Sequence, residues 1–174
     1  MPAAAKRASG ARAKARGRDF EKLLEVHHQV AVVLRLVAPP VVHNQPEAKM
    51  PRGRLFYVAT TVADYTGMLV GGLYFAVEAK STSHGHFHRS DIPAHQQAHL
   101  DAVDNGGGLA LLAIEFRVER EKVIVGQSRY VVRWRDVPWA SLRSAPSVSA
   151  AALAARGWVL ATPCYLTPFA RKAA

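Results

Sequence analysis

A single cysteine, Cys164, occurs in the 174 residues, so no disulfide can form within the chain. That usage suits a reducing compartment. No apolar run approaches the roughly 18 residues that a membrane-crossing helix needs. The basic N-terminus lacks the apolar stretch that a secretory signal carries behind its charges, so none is expected. There is no internal repeat and nothing marks a second folded domain. Acids are missing from residues 1–18, which hold Lys6, Arg7, Arg12, Lys14, Arg16 and Arg18. These exclusions leave a one-domain cytoplasmic protein with a basic N-terminal arm.

What is present fits that frame. Hydrophobic residues make up 49% of the chain, enough to bury a core; a domain of this size hides roughly two-thirds of its unfolded surface. Lys and Arg outnumber Asp and Glu by 23 to 13, a formal charge of +10. Six of those charges sit in residues 1–18 among Ala, Gly and Ser, so the arm is expected to be disordered when unbound, with the folded domain over 19–174. Basic arms bind phosphate backbones by releasing counterions, with affinity that depends on salt and ignores sequence.

Hydrophobic spacing predicts the elements. Phe20, Leu23, Leu24, His27, Val30, Ala31 and Leu34 trace one helical face behind Asp19 as N-cap, and Pro39-Pro40 end the helix. Residues 41–54 read as a strand fragment followed by an irregular basic segment with Lys49, Arg52 and Arg54. Strands are expected over 55–61, 65–70 and 73–80, the last two joined by a Gly71-Gly72 turn. A polar loop over 81–90 leads to a helix over 92–103 capped by Asp91, which Gly106-Gly107-Gly108 terminates. The apolar run 109–116 suits a buried strand. Further strands are expected at 122–125 and 129–134, and short helices at 138–142 and 149–156. The order predicts an α/β fold with a mixed sheet.

The chemistry concentrates on the 65–80 hairpin. Glu78 and Lys80 are two apart on a strand and share a face, with Ala79 turned away. The Gly71-Gly72 reversal returns residue 64 beside residue 78, so Asp64, Glu78 and Lys80 converge. Two carboxylates supply the hard oxygens that Mg²⁺ prefers, with Mn²⁺ as a substitute. A bound cation lowers the pKa of its water and offsets charge on a phosphoryl transition state, and an adjacent ammonium adds to that.

In chain order, Asp64-Tyr65-Thr66-Gly67, Phe75-x-x-Glu78-Ala79-Lys80, Phe87, Ile92-x-x-His95-Gln96-x-x-His99-Leu100 and Gly107-Gly108 resemble the RecU family of Holliday junction resolvases, within the PD-(D/E)xK nucleases. The resemblance covers residues 19–116 best. It implies a restriction-endonuclease-like core, a mixed sheet flanked by helices. It also implies a Mg²⁺-dependent homodimer that nicks paired strands of a four-way DNA junction in recombination and repair. Asp64, Glu78 and Gln96 match the family's metal ligands, Lys80 its transition-state stabiliser and Glu21 a further acidic neighbour. Val62 stands where the family carries a metal-site threonine, which leaves Thr61 for that role. The segment before Glu78 is one residue longer than the family's, and a β-bulge is one way to absorb it. Lys49, Arg52 and Arg54 lie where the family has a stalk that enters the junction. The partner is branched DNA, with no membrane and no small-molecule substrate, and the location is cytoplasmic, on a nucleoid or in a virus-infected host.

Other readings compete. His84, His86 and His88 could clip zinc or nickel, although such a loop is more often simply solvated. His95 and His99 have the spacing of a zincin helix, but Gln96 replaces its general-base glutamate. Trp134, Trp139 and Trp158 could stack on bases, although packing is their commoner use. Cys164 has no base partner. Asp101 and Asp104 read as helix surface, and Glu115 as a strand end. The alternatives to a resolvase are a non-catalytic DNA-architectural protein and a related nuclease acting on flaps or forks.

Overall fold

A computed structural model describes residues 3–43, 48–49, 56–57, 62–121, 123–142, 145–155, 160 and 164–170. Helix α1 runs over Ala3–Val33. It therefore begins well before the Phe20 start expected from sequence, and residues 3–18 lie on the same helix. Ala, Lys and Arg, which dominate that stretch, are among the strongest helix formers, so Asp19 becomes an interior position and caps nothing. Phe20, Leu24, His27, His28 and Ala31 form its buried stripe.

Five strands make the main sheet: β1 (Val37–His43), β4 (Tyr65–Leu69), β5 (Tyr74–Thr82), β7 (Leu109–Arg120) and β8 (Val123–Arg133), in the order β1-β4-β5-β7-β8. Strands β5 and β7 are parallel; the other neighbours are antiparallel. The parallel pair needs a crossover, and helix α2 (Ala94–Asn105) provides it. Strands β2 (Ala48–Lys49) and β3 (Phe56–Tyr57) pair with each other, and β6 (His86–His88), β10 (Ala145–Ser149) and β9 (Ala140–Leu142) form a small second sheet. Helices α3 (Ala150–Ala154) and α4 (Thr167–Ala170) are short.

The main sheet is buried on both faces. Phe20, Leu24 and Ala31 of α1 pack with Tyr65, Phe75, Val77, Leu111 and Ala113. On the other face, Leu100 and Val103 of α2 pack with Ala76, Leu112, Ile114 and Val132. Strand β7 lies between β5 and β8 with nine consecutive buried residues, all apolar except Glu115 and Arg117, as suits a strand covered on both faces. The expected α/β architecture, a mixed sheet flanked by helices, is the one observed.

Several local expectations change. Pro39 and Pro40 lie inside β1 and do not end the helix. An edge strand tolerates residues without an N–H, and the β1–β4 register shifts across this stretch. Residues 81–90 are not all loop: β5 extends to Thr82 and β6 follows. Asp91 does not cap α2, which has Pro93 at its N-cap; its carboxylate accepts from the backbone N–H of His88 across a preceding 3₁₀ turn. The two strands expected over 122–134 are one, β8. Residues 140–142, expected in a helix, form β9, since pairing with β10 outweighs the weak propensity of a three-residue segment. Helix α3 is Ala150–Ala154, with Ser149 as its N-cap. The strand expected over 55–61 lies mostly outside the described residues.

Candidate active site

The β4–β5 hairpin turns at Gly71 and Gly72, at φ 103° and 88°, a backbone region that glycine enters without steric cost. Its pairing runs from Met68↔Tyr74 to Tyr65↔Val77 without a register shift, so no bulge in this ladder absorbs the extra residue before Glu78. Gly67 faces Phe75, and a Cβ on Gly67 would lie 2.7 Å from that ring. The glycine of the Asp-Tyr-x-Gly motif is thus the space that the phenylalanine of the next motif fills.

One residue beyond the last pair, Asp64 reaches across the hairpin, and its Oδ2 accepts a 2.8 Å hydrogen bond from the Ala79 N–H. This fixes the carboxylate between the two residues that flank Ala79 on β5. Glu78 is fully buried. Its Oε1 receives the Lys80 ammonium, whereas Oε2 has no hydrogen-bond partner. Burial foremost, then the nearby Asp64 charge, raises the Glu78 carboxyl to about 7, against the lowering effect of Lys80. A carboxylate kept from water with a free oxygen is poised for a cation or a proton.

Gln96 and Glu21 lie on the two helices that cover the sheet. Gln96 is buried on α2, the helix that covers the sheet face carrying Glu78, and its Oε1 is also without a partner. Glu21 of α1 feels the Asp64 charge: burial first and Asp64 second raise its carboxyl above the usual range. The Tyr65 hydroxyl donates a 3.0 Å hydrogen bond to the Glu21 carbonyl, tying that turn of α1 to the strand beside Asp64. Asp64, Glu78, Lys80 and Glu21 therefore belong to one end of the sheet, and Gln96 is buried on the helix over the face that carries Glu78. Among the described residues no three His, Cys, Asp or Glu side chains form a ready metal cage. The partnerless oxygens of Glu78 and Gln96 nonetheless fit a hard divalent cation whose remaining ligands are water and substrate.

Some expectations fall outside this geometry. Thr61, Arg52 and Arg54 lie outside the described residues, as do the side chains of Lys6, Arg7, Arg12, Lys14, Arg16 and Lys49; Arg18 is exposed. His84, His86 and His88 do not converge on a three-ligand site. His95 is exposed, whereas burial lowers the half-buried His99. Trp134 is buried, donates to Asp101 at 2.6 Å and meets Trp139 edge-on, which is a packing role. Trp158 lies outside the described residues. Asp101 and Asp104 engage Trp134 and Arg135. Cys164 is buried, and burial raises its thiol.

Sequence reasoning missed two neighbours. His43 stacks on Tyr65 with ring centroids 4.5 Å apart, and its Nδ1 lies 3.0 Å from Glu25 Oε1. Glu25 follows Glu21 by one helical turn, which was the available signal. Glu115, expected at a strand end, sits in the middle of β7 and is 3% exposed. A lone acid inside an apolar run was the signal there.

The family profile described as Recombination protein U matches residues 16–146, well over half of the chain and all of the hairpin and α2. The chain belongs to the RecU family. RecU proteins are Holliday junction resolvases, and the chain is a nuclease of that family. A solved structure that resembles it is Hjc, a Holliday junction resolvase from the archaeal hyperthermophile Archaeoglobus fulgidus. The two are 15% identical, with 80% of this chain and 88% of that chain covered and a TM-score of 0.46. Among curated proteins none matches the chain in sequence. No helix among the described residues is long and apolar enough to cross a membrane.

Proposed function

We propose that this RecU-family chain resolves four-way DNA junctions with Mg²⁺ held by Asp64, Glu78 and Gln96. The observation that carries the assignment is the fully buried Glu78, with one oxygen on Lys80 and the other unpartnered, opposite an Asp64 locked to the backbone of the same strand. When bound, the cation activates water and offsets the charge that develops on the phosphate.

The chain's own groups do the rest. The Asp64–Ala79 hydrogen bond fixes one ligand before substrate arrives, so no reorganisation is needed on binding. Lys80 is held on Glu78 and can turn its ammonium toward the phosphoryl oxygens as negative charge builds. Glu21, whose carboxyl feels the Asp64 charge, is the further acidic neighbour that the family motif suggests. Thr61 remains the further ligand suggested by the family motif.

A second copy of the chain would supply the second nick, since two symmetric sites match a junction with two-fold symmetry. Selectivity then comes from junction shape, while arginines and lysines hold phosphates. The arm of residues 1–18, with Lys49, Arg52 and Arg54, supplies such contacts. Substituting Asp64→Asn tests the reading: Mg²⁺-dependent nicking of a synthetic four-way junction should disappear while junction binding persists. Wild-type protein that leaves junctions intact in both Mg²⁺ and Mn²⁺ would overturn it.

A further inference from the structure

Beside Lys80 a cavity of about 240 Å³ opens, lined by Ala79, Lys80, Ser81, Ser83, Arg117 and Glu119 together with Gly17 of α1. Behind it lies a buried charge cluster. Glu115 is 3% exposed and accepts hydrogen bonds from Ser81 Oγ at 2.9 Å and Arg129 Nε at 2.9 Å, with Arg117 Nε a charge contact at 3.3 Å. One carboxylate thus faces two guanidiniums, and Glu119 has an interaction of its own. Arg117 is only 8% exposed, and its Nε, though paired in charge with Glu115, lacks an aligned hydrogen bond.

A guanidinium kept from water with a donor left unfilled is costly unless an acceptor shares the site, and Arg117 is in that position. A guanidinium braced by a carboxylate is rigid, and its planar fork matches two phosphate oxygens. The cavity shares the Lys80 wall with the candidate active site, so an anion seated here lies beside the cleavage centre. We propose that this cavity binds a backbone phosphate of the DNA strand next to the scissile one. Arg117 is its donor, and Glu115 positions Arg117. The proposal rests on the nuclease reading above. It adds a contact that fixes where along the strand the scissile phosphate stops.

The test uses the full chain, with Ca²⁺ replacing Mg²⁺ so that junctions bind without turnover. Arg117→Gln should weaken binding of a four-way junction about tenfold and lower the slope of log K against log salt by about one. Arg117→Lys, which keeps the charge, should retain most of that slope. Once the nicks of the wild type are mapped, a neutral methylphosphonate on a flanking phosphate should weaken wild-type binding about tenfold and leave Arg117→Gln unaffected. A free phosphate or nucleotide ligand predicts no such positional effect. An unchanged salt slope in Arg117→Gln, or losses from variant and methylphosphonate that multiply, overturns the subsite. If Arg117→Gln fails to fold, as thermal melting will show, Arg117→Lys and the methylphosphonate series on wild type decide the matter. Wild type that cleaves but fails these tests loses the subsite alone, whereas wild type that never cleaves loses the nuclease reading and this proposal together.

Discussion

Glu78 and Glu115 are buried carboxylates on neighbouring parallel strands, three ladder positions apart, yet their surroundings are opposite in kind. Glu115 is surrounded by donors: two guanidiniums and a hydroxyl. Glu78 has one ammonium, a nearby like charge from Asp64 and an oxygen with nothing to bind. Burial alone therefore does not distinguish a structural acid from a functional one. The distinction is whether the protein itself completes the carboxylate's coordination. Where it does, the group contributes stability; where it leaves a gap, the group suits the metal-binding role proposed for Glu78.

The largest expected effect comes from breaking the incomplete site. Glu78→Gln keeps the shape but removes a hard anionic ligand, so cleavage should fall by roughly 10³-fold. That exceeds the roughly 100-fold typical of residues that merely orient a metal ligand. Stability should hardly suffer, because the substitution removes a buried charge that was only half compensated. Single-turnover junction cleavage and thermal melting on the same preparation check both halves. A variant that melts far below wild type would place Glu78 in the structural class.

The converse holds for Glu115→Gln. Two guanidiniums lose their anion, and removing one partner from a buried ion cluster costs about 3–5 kcal/mol. Partial exposure of Arg129, 31%, favours the lower end of that range. Urea denaturation should show the loss even without DNA, and Asp64 and Glu78 should keep any affinity for Mn²⁺. Wild-type stability in this variant would mean that the Arg117–Glu115–Arg129 cluster is not structural.

Acidity separates the two carboxylates further. The Glu78 carboxyl is raised from 4.5 to about 7, so the folded state holds the proton more tightly than the unfolded state. Stability from that group is complete below about 4.5 and is lost as pH rises through 7, by about 3 kcal/mol in the metal-free protein. His28 works in the other direction. Burial foremost, with His27 and His43 charges adding, lowers it from 6.5 to about 4, and Tyr165 sits against its Nε2. Its contribution is complete above 6.5 and is lost as pH falls through 4. Between about 4.5 and 6.5 the two slopes oppose each other. Glu78→Gln should expose the His28 slope, giving a melting temperature that drops on acidification more steeply than in wild type. Mn²⁺ should restore wild-type stability above pH 7 and do nothing for the variant. Parallel melting curves for both proteins across pH 4–8 would contradict this.

How much of this was legible before the structure follows the range of the forces involved. The hairpin and its trio could be read because strand alternation and a Gly-Gly turn act over a few residues, and Asp64, Glu78 and Lys80 all lie within that reach. Gln96 and Glu21 came from an ordered family pattern, since a helix packed across a sheet leaves no mark in local spacing. Glu115 was misread for the same reason: its partners Arg117, Arg129 and Ser81 meet it only once β5, β7 and β8 are in register. Residues 140–142 show the limit from the other side, because so short a segment takes its conformation from the strand it pairs with. The start of α1 was misplaced because its apolar stripe begins at Phe20, while helix propensity extends the backbone back to Ala3.

The smallest expected effect falls on Ser81, and it tests whether Glu115 is over-provided. Ser81 Oγ donates to Glu115 Oε2, while Arg129 holds Oε1 and Arg117 approaches Oε2 as well. Removing one neutral donor from a carboxylate that keeps two cations should cost about 1 kcal/mol, the usual net worth of a single hydrogen bond. In Glu115→Gln the same Ser81→Ala change should cost less, since the charged acceptor that strengthens the bond has gone. A double-mutant cycle measured by urea denaturation gives the coupling directly. A Ser81→Ala loss as large as that of Glu115→Gln would mean that Glu115 is no better provided than Glu78, and the contrast between the two carboxylates would fail.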